Sequence, residues 1–213
     1  MLDLIVRRET AGEHRTVEEL TREAFWNLYA PGCDEHYLVH LLRDHSDYRA
    51  DLSFVAEYDG KIIGLIMYSS SHVENTEGKR INTLTFGPLC VHPEYQRMGV
   101  GKDLIAHTRK LAVQMGENAV IILGHPHNYC SRGFVSSRDF NIGNAEGRYP
   151  FGQLVLELKE GIFDGGPWRF HYSDVFEVDP AGAAAFDAEF PKKEKLVLPS
   201  QSEFSIAVRA FLD

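Results

Sequence analysis

Several things are scarce in this sequence, and each scarcity excludes a class of protein. Cysteine is one: Cys33, Cys90 and Cys130 are the only three in 213 residues, and none form a C-x-x-C pair. A sparse, odd count fits a reducing compartment and argues against a disulfide framework or a zinc ribbon. Positive charge is another: 22 Lys and Arg stand against 31 Asp and Glu, a net charge of -9. An acidic surface repels nucleic acid, so no nucleic-acid partner is expected, whereas a cationic amine substrate is tolerated. No apolar run approaches the roughly 20 residues that cross a bilayer, so no membrane partner is expected either. The opening Met1-Leu2-Asp3-Leu4-Ile5-Val6-Arg7-Arg8 is too short and wrongly charged for a secretory signal. Together these features lead us to expect a soluble, cytoplasmic protein. The ten histidines are scattered, and only His125-x-His127 is close. No carboxylate falls at ligand spacing around that pair, so no metal is expected. Internal repeats and low-complexity tracts are missing as well.

What is present is ordinary globular material, 44% hydrophobic and 25% charged, enough for one domain or one domain with an extension. Leu2 to Arg8 alternates as a strand. Thr10-x-x-Glu13 has the capping-box pattern and predicts a helix through about Phe25. After the Pro31-Gly32 break, Asp34 is placed to cap a second helix with Tyr37, Leu38, Leu41 and Leu42 at helical spacing. Asp59-Gly60 between Leu52–Glu57 and Ile62–Tyr68 is a hairpin signal. Ile81 to Val91 reads as a longer strand interrupted by Gly87-Pro88, which predicts a bulge because proline cannot donate to a ladder. A helix from Val100 to Met115 follows, with Gly116 as its C-cap. Ala119–Leu123 is a continuous apolar strand, Asn128–Arg132 a short helix, and Gly133 to about Arg138 and Gln153–Lys159 further strands. Trp168–Val178 looks β-like and Ala181–Phe190 helical, and Ser200-x-x-Glu203 has the pattern to cap a last helix through Leu212. This order predicts an α/β fold, a mixed and mostly antiparallel sheet flanked by helices, with a C-terminal extension. Only the strands before Val100 and after Gly116 are joined by a helical crossover, so those two should be parallel.

The chemistry lies in Leu89-Cys90-Val91-His92-Pro93-Glu94-Tyr95-Gln96-Arg97-Met98-Gly99-Val100-Gly101-Lys102. A strand ends, a turn carries two glycines, and an amphipathic helix starts. The first turn of a helix has unpaired N–H groups and the positive end of the helix dipole. Gly99 and Gly101 let backbone approach a phosphate, and Gln96, Arg97 and Lys102 add donors or charge. The stretch is not a Walker A loop, because Asp103 follows Lys102. Nor is it the dinucleotide fingerprint, because Leu104 stands where that pattern needs a third glycine.

Gln96-Arg97-x-Gly99-x-Gly101 resembles the [Gln/Arg]-x-x-Gly-x-[Gly/Ala] signature of the GNAT superfamily of N-acetyltransferases, and Tyr129-Cys-Ser-Arg-Gly133-Phe134 is similar to that superfamily's following motif. Gly87-Pro88-Leu89, Leu123-Gly124-His125-Pro126 and Leu156-Glu157-Leu158-Lys159-Glu160-Gly161 resemble a branch of bacterial GNAT acetyltransferases whose substrates are mostly unassigned. The resemblance covers residues 1–160 in element order and is motif-specific from Phe86 to Phe134. It implies a GNAT-type acyl-CoA N-acyltransferase domain over 1–160. Residues 161–213 would then be an extension packing on the same domain or on a second subunit, which makes a homodimer one arrangement to expect.

The resemblance also implies acetyl-CoA as cosubstrate. Its pyrophosphate would sit on the amides from Arg97 through Met98, Gly99, Val100 and Gly101 to Lys102, with Gln96 alongside. Its pantetheine arm would pair with the backbone of Leu89, Cys90 and Val91, with Asn128 also contributing. Transfer would be direct, from the thioester to a primary amine of a small molecule or peptide. Tyr129 would be the general acid for the leaving thiolate, since a phenol near 10 lies close to a thiol near 8.5. The Val91 N–H would be the oxyanion donor. The base is open, because the strand Ile81–Val91 holds no Asp or Glu. His125, His92, Glu94, His127 and a water relay are candidates, and His125 is the one placed near the thioester. A covalent mechanism through Cys90 or Cys130 would need an orienting histidine in space. A CoA-binding sensor or scaffold without turnover, and a donor with another acyl group, are the rival readings. The acceptor should meet Trp26–Leu42, which holds Tyr29, Asp34, Glu35, His36 and Tyr37, and the loop Ile142–Phe151.

Overall fold

The computed structural model describes residues 2–213. The chain begins with β1 (Ile5–Arg7), α1 (His14–Phe25) and α2 (Glu35–Arg43). β1 is shorter than the alternation suggested, but Leu2, Leu4 and Val6 still pack against the main core. The Glu13 carboxylate accepts from the Thr10 backbone N–H at 2.8 Å and from its hydroxyl at 2.9 Å, which fixes the entry to α1. Asp34 does precede α2, but its side chain caps nothing.

Next come β2 (Phe54–Tyr58), β3 (Lys61–Asn75) and β4 (Arg80–Val91). Asp59 (φ 49°) and Gly60 (φ 71°) both take left-handed backbone, the two-residue turn that suits the twist of a hairpin. α3 (Val100–Gln114) crosses to β5 (Ala119–Leu123), which lies parallel to β4 as the helical crossover requires. Met115 does not join the buried face of α3; it is 46% exposed. α4 (Pro126–Tyr129) leads to β6 (Val135–Ser136), β7 (Ile142–Gly143), β8 (Tyr149–Pro150) and β9 (Gln153–Glu157). The strand expected to run to Arg138 is only two residues long, because Ser137–Phe140 coils into a 3₁₀ turn.

The C-terminal segment supplies β10 (Trp168–His171), α5 (Pro180–Asp187), α6 (Pro199–Ala207) and β11 (Phe211–Leu212). The β-like stretch from Trp168 ends at His171, and the last helix starts at Pro199, so Ser200 lies inside it rather than at its cap. Proline at N1 sets the start without needing a side-chain cap.

The main sheet runs β1-β2-β3-β4-β5-β9-β6, with β10 pairing both β3 and β7. All neighbours are antiparallel except β4–β5 and β10–β7. One apolar core lies under α3, built on Ile66, Tyr68, Phe86 and Leu104. A second lies under α1 and α2, built on Val17, Leu42, Met67 and Cys90. A third, around Trp168, joins β10 to β5 and β9. Among the described residues, no helix is long and apolar enough to cross a membrane.

Gly64 lets α3 sit close on the sheet. A Cβ there would fall 2.8 Å from Val100 Cγ1 and 3.2 Å from Leu104 Cδ1, inside any normal contact distance. Gly64→Ala should therefore cost about 1–3 kcal/mol through overpacking and lower the melting temperature in thermal unfolding. An unchanged melting temperature would show that the helix has room to retreat.

Candidate functional site

The site starts with a register shift. Ile66 pairs with Leu89 and Tyr68 with Phe86, so Gly87 and Pro88 together stand opposite Met67 alone. This is the bulge that proline's missing N–H implies. Beyond it, the His92 N–H donates to Ile63 O at 2.8 Å. Antiparallel pairing alternates, so Cys90 bonds to Leu65 while the backbone groups of Leu89 and Val91 turn to the opposite edge. That edge is open. β4 and β5 pair only at Leu84↔Val120, after which β4 continues to Val91 and β5 ends at Leu123. The result is a wedge between two parallel strands, walled by backbone groups of Leu89 and Val91 that no neighbouring strand pairs.

The two glycines close the wedge at its wide end. Gln96 Nε2 donates to Val91 O at 3.2 Å and ties the turn to the strand. Arg97 (φ 64°) and Gly99 (φ 96°) take left-handed backbone, and Gly99 is the N-cap of α3 with no side chain to cap it. The first amides of α3 therefore point outward without a side-chain acceptor. A Cβ at Gly99 would meet nothing within 4 Å, and one at Gly101 would meet only Val91 Cγ2 at 3.7 Å. Arg97, Met98 and Lys102 are exposed around this space, while Val100 is buried beneath it. Backbone donors, the helix dipole and two cations make this an anion cradle.

Tyr129 ends α4. Its ring packs edge-on against Phe134 and tilted against Phe86, with centroids 5.8 Å away in each case. A Cβ on Gly124 would lie 2.5 Å from Tyr129 Cε2, so the glycine is what admits the ring. Burial, and secondarily the nearby Tyr29 phenol, push the Tyr129 phenol above its ordinary range. Among the described residues its hydroxyl makes no hydrogen bond. His125 is exposed. Its Nδ1 accepts from the His127 N–H at 3.3 Å as the N-cap of α4, and its ring meets Phe151 edge-on. Asn128 is exposed on the same short helix. His92 likewise caps its own turn, accepting from the Glu94 N–H.

Cys90 turns its side chain to the other face of the sheet, 3.8 Å from Thr21 Oγ1, and burial pushes its thiol up to about 12. Cys130 is exposed, and no histidine contacts it among the described residues. Cys33 Sγ lies 3.5 Å from His36 Nδ1, and His36 Nε2 lies 3.3 Å from Asp187 Oδ1. Burial raises the thiol and lowers the imidazole to about 4, so both are neutral at pH 7 and form no thiolate–imidazolium pair. Neither the Cys33–His36–Asp187 contact nor the role of Gly124 is visible in the sequence. Asp187 comes from the far C-terminal segment, and Gly124 matters only through a ring that folds back on it.

His45, Asp47 and Asp174 bring three ligand atoms within 4.8 Å of one another. His45 Nε2 lies 3.0 Å from the exposed Asp174 carboxylate, a contact at the protein surface.

Residues 21–140 match the model of the Acetyltransferase (GNAT) family. An uncharacterized N-acetyltransferase of Escherichia coli K12, YjhQ, is 37% identical over 94 residues, which is 44% of this chain and 51% of the relative. The chain thus matches about half the length of that curated protein. Among solved structures, Escherichia coli YhbS, a GNAT family N-acetyltransferase in complex with CoA, has a TM-score of 0.70 at 24% identity, over 84% of this chain and 94% of that one. A GNAT family acetyltransferase from Brucella melitensis in complex with acetyl-CoA has a TM-score of 0.63 at 22% identity, over 83% and 99%.

Gly101→Val tests the anion cradle. A Cβ there meets only Val91 Cγ2, at ordinary contact distance, so the substitution bears on the space at the first turn of α3 and not on the core. The variant should keep its melting temperature and lose CoA affinity by at least about tenfold, or about 1.4 kcal/mol, read by calorimetric titration. Wild-type affinity in the folded variant would remove the cradle assignment.

Proposed function

The chain belongs to the Acetyltransferase (GNAT) family, and from that premise we propose that it transfers the acetyl group of acetyl-CoA directly to a primary amine of a small molecule or peptide. The observation that carries this reading is the wedge. Unpaired backbone of Leu89 and Val91 runs into an uncapped helix N-terminus carrying Arg97, Gly99, Gly101 and Lys102. An extended ligand with a pyrophosphate at one end and a thioester at the other fits that sequence of donors. The CoA and acetyl-CoA bound by the two bacterial relatives support the choice of donor. We assign residues 1–160 as the acetyltransferase domain and 161–213 as an extension packed on it.

In this reading the amides from Arg97 to Lys102 hold the pyrophosphate, and the edge of Leu89 to Val91 pairs with the pantetheine amides. The Val91 N–H faces the wedge and polarises the thioester carbonyl, stabilising the oxyanion of the tetrahedral adduct. The amine nitrogen forms the new C–N bond, and the C–S bond breaks with its electron pair leaving on sulfur. Tyr129 donates the proton to that sulfur and, as phenolate, recovers the proton that the new amide nitrogen sheds, so the sum is amine plus acetyl-CoA giving acetamide and CoA thiol. Burial raises the phenol further, so it stays protonated at neutral pH, and among the described residues its hydroxyl has no competing partner. His125 is the weaker candidate for a proton relay, since its Nδ1 is taken by the His127 N–H.

The test is Tyr129→Phe. The ring and its contacts with Phe86 and Phe134 are kept, so stability and acetyl-CoA affinity should move little. General acid catalysis contributes about 10²–10⁴-fold, and an interaction made mainly in the transition state shows in kcat. We expect kcat for amine-dependent thiol release to fall at least about tenfold, within that range. A wild-type kcat would show that water or another group supplies the proton. A parallel loss of melting temperature would make Tyr129 a packing residue.

A further inference from the structure

The two ends of α3 face different surroundings. Its N-terminus opens on the anion cradle. Past its C-terminus, beside Glu117, lies a cleft of about 760 Å³ between β3, β4, β10 and the connection from α2 to β2. The helix is 15 residues long, so it holds the two places about 22 Å apart. Two imidazoles line the cleft from neighbouring strands. His171 of β10 is paired directly with His72 of β3, which puts both side chains on one face of the sheet. Their rings stack with centroids 4.8 Å apart and planes 13° from parallel. Among the described residues neither ring makes a hydrogen bond.

Two carboxylates and a third imidazole meet at one side of the same cleft. Asp47 and Asp174 line it, and His45 stands between them. His45 Nδ1 lies 3.8 Å from Asp47 Oδ2, and His45 Nε2 lies 3.0 Å from Asp174 Oδ1. One donor atom from each of the three lies within 4.8 Å of the other two. Ligands about 2.1 Å from a tetrahedral zinc stand roughly 3.4 Å from one another. Small side-chain rotations therefore close the set, and Asp174, 83% exposed, is free to make one. No basic side chain claims these carboxylates. Arg49, which also lines the cleft, binds Asp51 and Glu117 at 2.9 and 2.8 Å. Arg80 stands opposite Glu74 in the β3–β4 register. Among the described residues, Asp47 and Asp174 have no Lys or Arg partner. Three imidazoles and two such carboxylates around one cleft are donor chemistry for a cation that takes nitrogen as well as oxygen.

We propose that His45 Nε2 and the carboxylates of Asp47 and Asp174 bind a divalent transition metal, with zinc the best fit, and that the ion clasps the C-terminal extension to the α2–β2 connection. An imidazole with two carboxylates suits zinc and its borderline neighbours, whereas magnesium and calcium take oxygen ligands. Water on the cleft side completes the set. The histidine is prepared for this role. Its Nδ1 accepts from the Asp47 N–H at 3.1 Å, which leaves the ring proton on Nε2, facing Asp174. A metal on Nε2 displaces that proton, and the neutral ring then carries its proton on Nδ1, 3.4 Å from Ser173 Oγ. The clasp joins segments that are far apart in the chain. Next to Asp174, Val175 is buried in the core under α1 and α2. A Cβ on Gly87 would lie 3.1 Å from the ring of Phe176. The ion therefore anchors the stretch of the extension that packs on the β4 bulge. The site shares no residue with the wedge or the cradle, so it stands or falls without the acetyltransferase reading.

The test uses the full chain, treated with a chelator, dialysed, and titrated calorimetrically with Zn²⁺, Co²⁺ or Mg²⁺ alone. Two variants are compared with the wild type. Asp174→Ala removes an exposed ligand and leaves the core untouched, and His45→Gln removes the nitrogen donor. We expect the wild type to take up a single Zn²⁺ per chain and to melt at a higher temperature with it. Co²⁺ should compete for the same place and show visible absorption bands, and Mg²⁺ at equal concentration should move nothing. Each variant should lose Zn²⁺ affinity by at least about tenfold, the low end of what losing even a supporting contact costs a metal site, together with the rise in melting temperature. CoA affinity should stay at the wild-type value in both. A wild type that takes up no Zn²⁺ overturns the site. So does wild-type Zn²⁺ affinity in the folded Asp174→Ala protein, which would put the ion elsewhere. Mg²⁺ binding as tight as that of Zn²⁺ would overturn the assignment to a transition metal.

Discussion

The site depends on one mismatch of count in the sheet, two residues of β4 against one of β3. Gly87 and Pro88 face Met67, and the register they shift decides which way the last peptides of β4 point. Without the extra residue, the alternation of antiparallel pairing would turn Leu89 and Val91 toward β3 and Cys90 toward β5. With it, Leu89 and Val91 present their backbone to a gap. The gap exists because β5, after one registered pair at Val120, runs out at Leu123 while β4 continues. Unpaired peptide groups inside a sheet carry a desolvation cost unless something bonds them. Gln96 answers one of them at Val91 O, and an extended ligand would answer the others. The bulge thus converts a structural liability into a binding edge.

The placement of α3 is coupled to the same edge. Val100 and Leu104 reach the sheet over Gly64, and Gly64 pairs with Val91. The helix whose first turn would hold an anion is therefore seated on the residue opposite the last peptide of the wedge. Packing and binding geometry are set by one cross-strand pair. This is why the turn can be built of glycines without losing its position: the buried side chains of Val100 and Leu104 fix the helix, and Gly99 and Gly101 are left free to keep its N-terminus open.

Much of this was legible in the sequence because its signals are local. Asp59-Gly60 forces left-handed backbone, Gly87-Pro88 breaks a ladder, and Gly99-x-Gly101 opens a helix. Each needs only its immediate neighbours. The illegible parts are those settled at a distance. β3 runs to Asn75, far beyond Tyr68, although Ser69-Ser70-Ser71 has weak strand character. The Ser71 and Thr83 hydroxyls bond at 2.8 Å across the ladder, and β10 adds a second edge partner from His72 to Asn75. Neither partner can be read from the serines themselves. The same holds for the cleft of about 210 Å³ between the α1–α2 connection and α5. Tyr29, Asp34 and Glu35 stood out as candidates for meeting an acceptor, but their opposite wall is Ala184 and Asp187, some 150 positions later.

Burial shifts the Tyr29 and Tyr129 phenols and the Glu35 carboxyl in the same direction. Burial disfavours charge on all three, so a phenol stays protonated and a carboxyl is drawn toward neutrality. For Tyr129 this means a better-kept proton. A buried phenol is a reluctant acid toward a free thiol in water. Toward a thiolate born in the same dry environment it is not, because desolvation raises the proton affinity of that sulfur as well. The packing of Tyr129 against Phe86 and Phe134 therefore matches donor to leaving group in the proposed transfer.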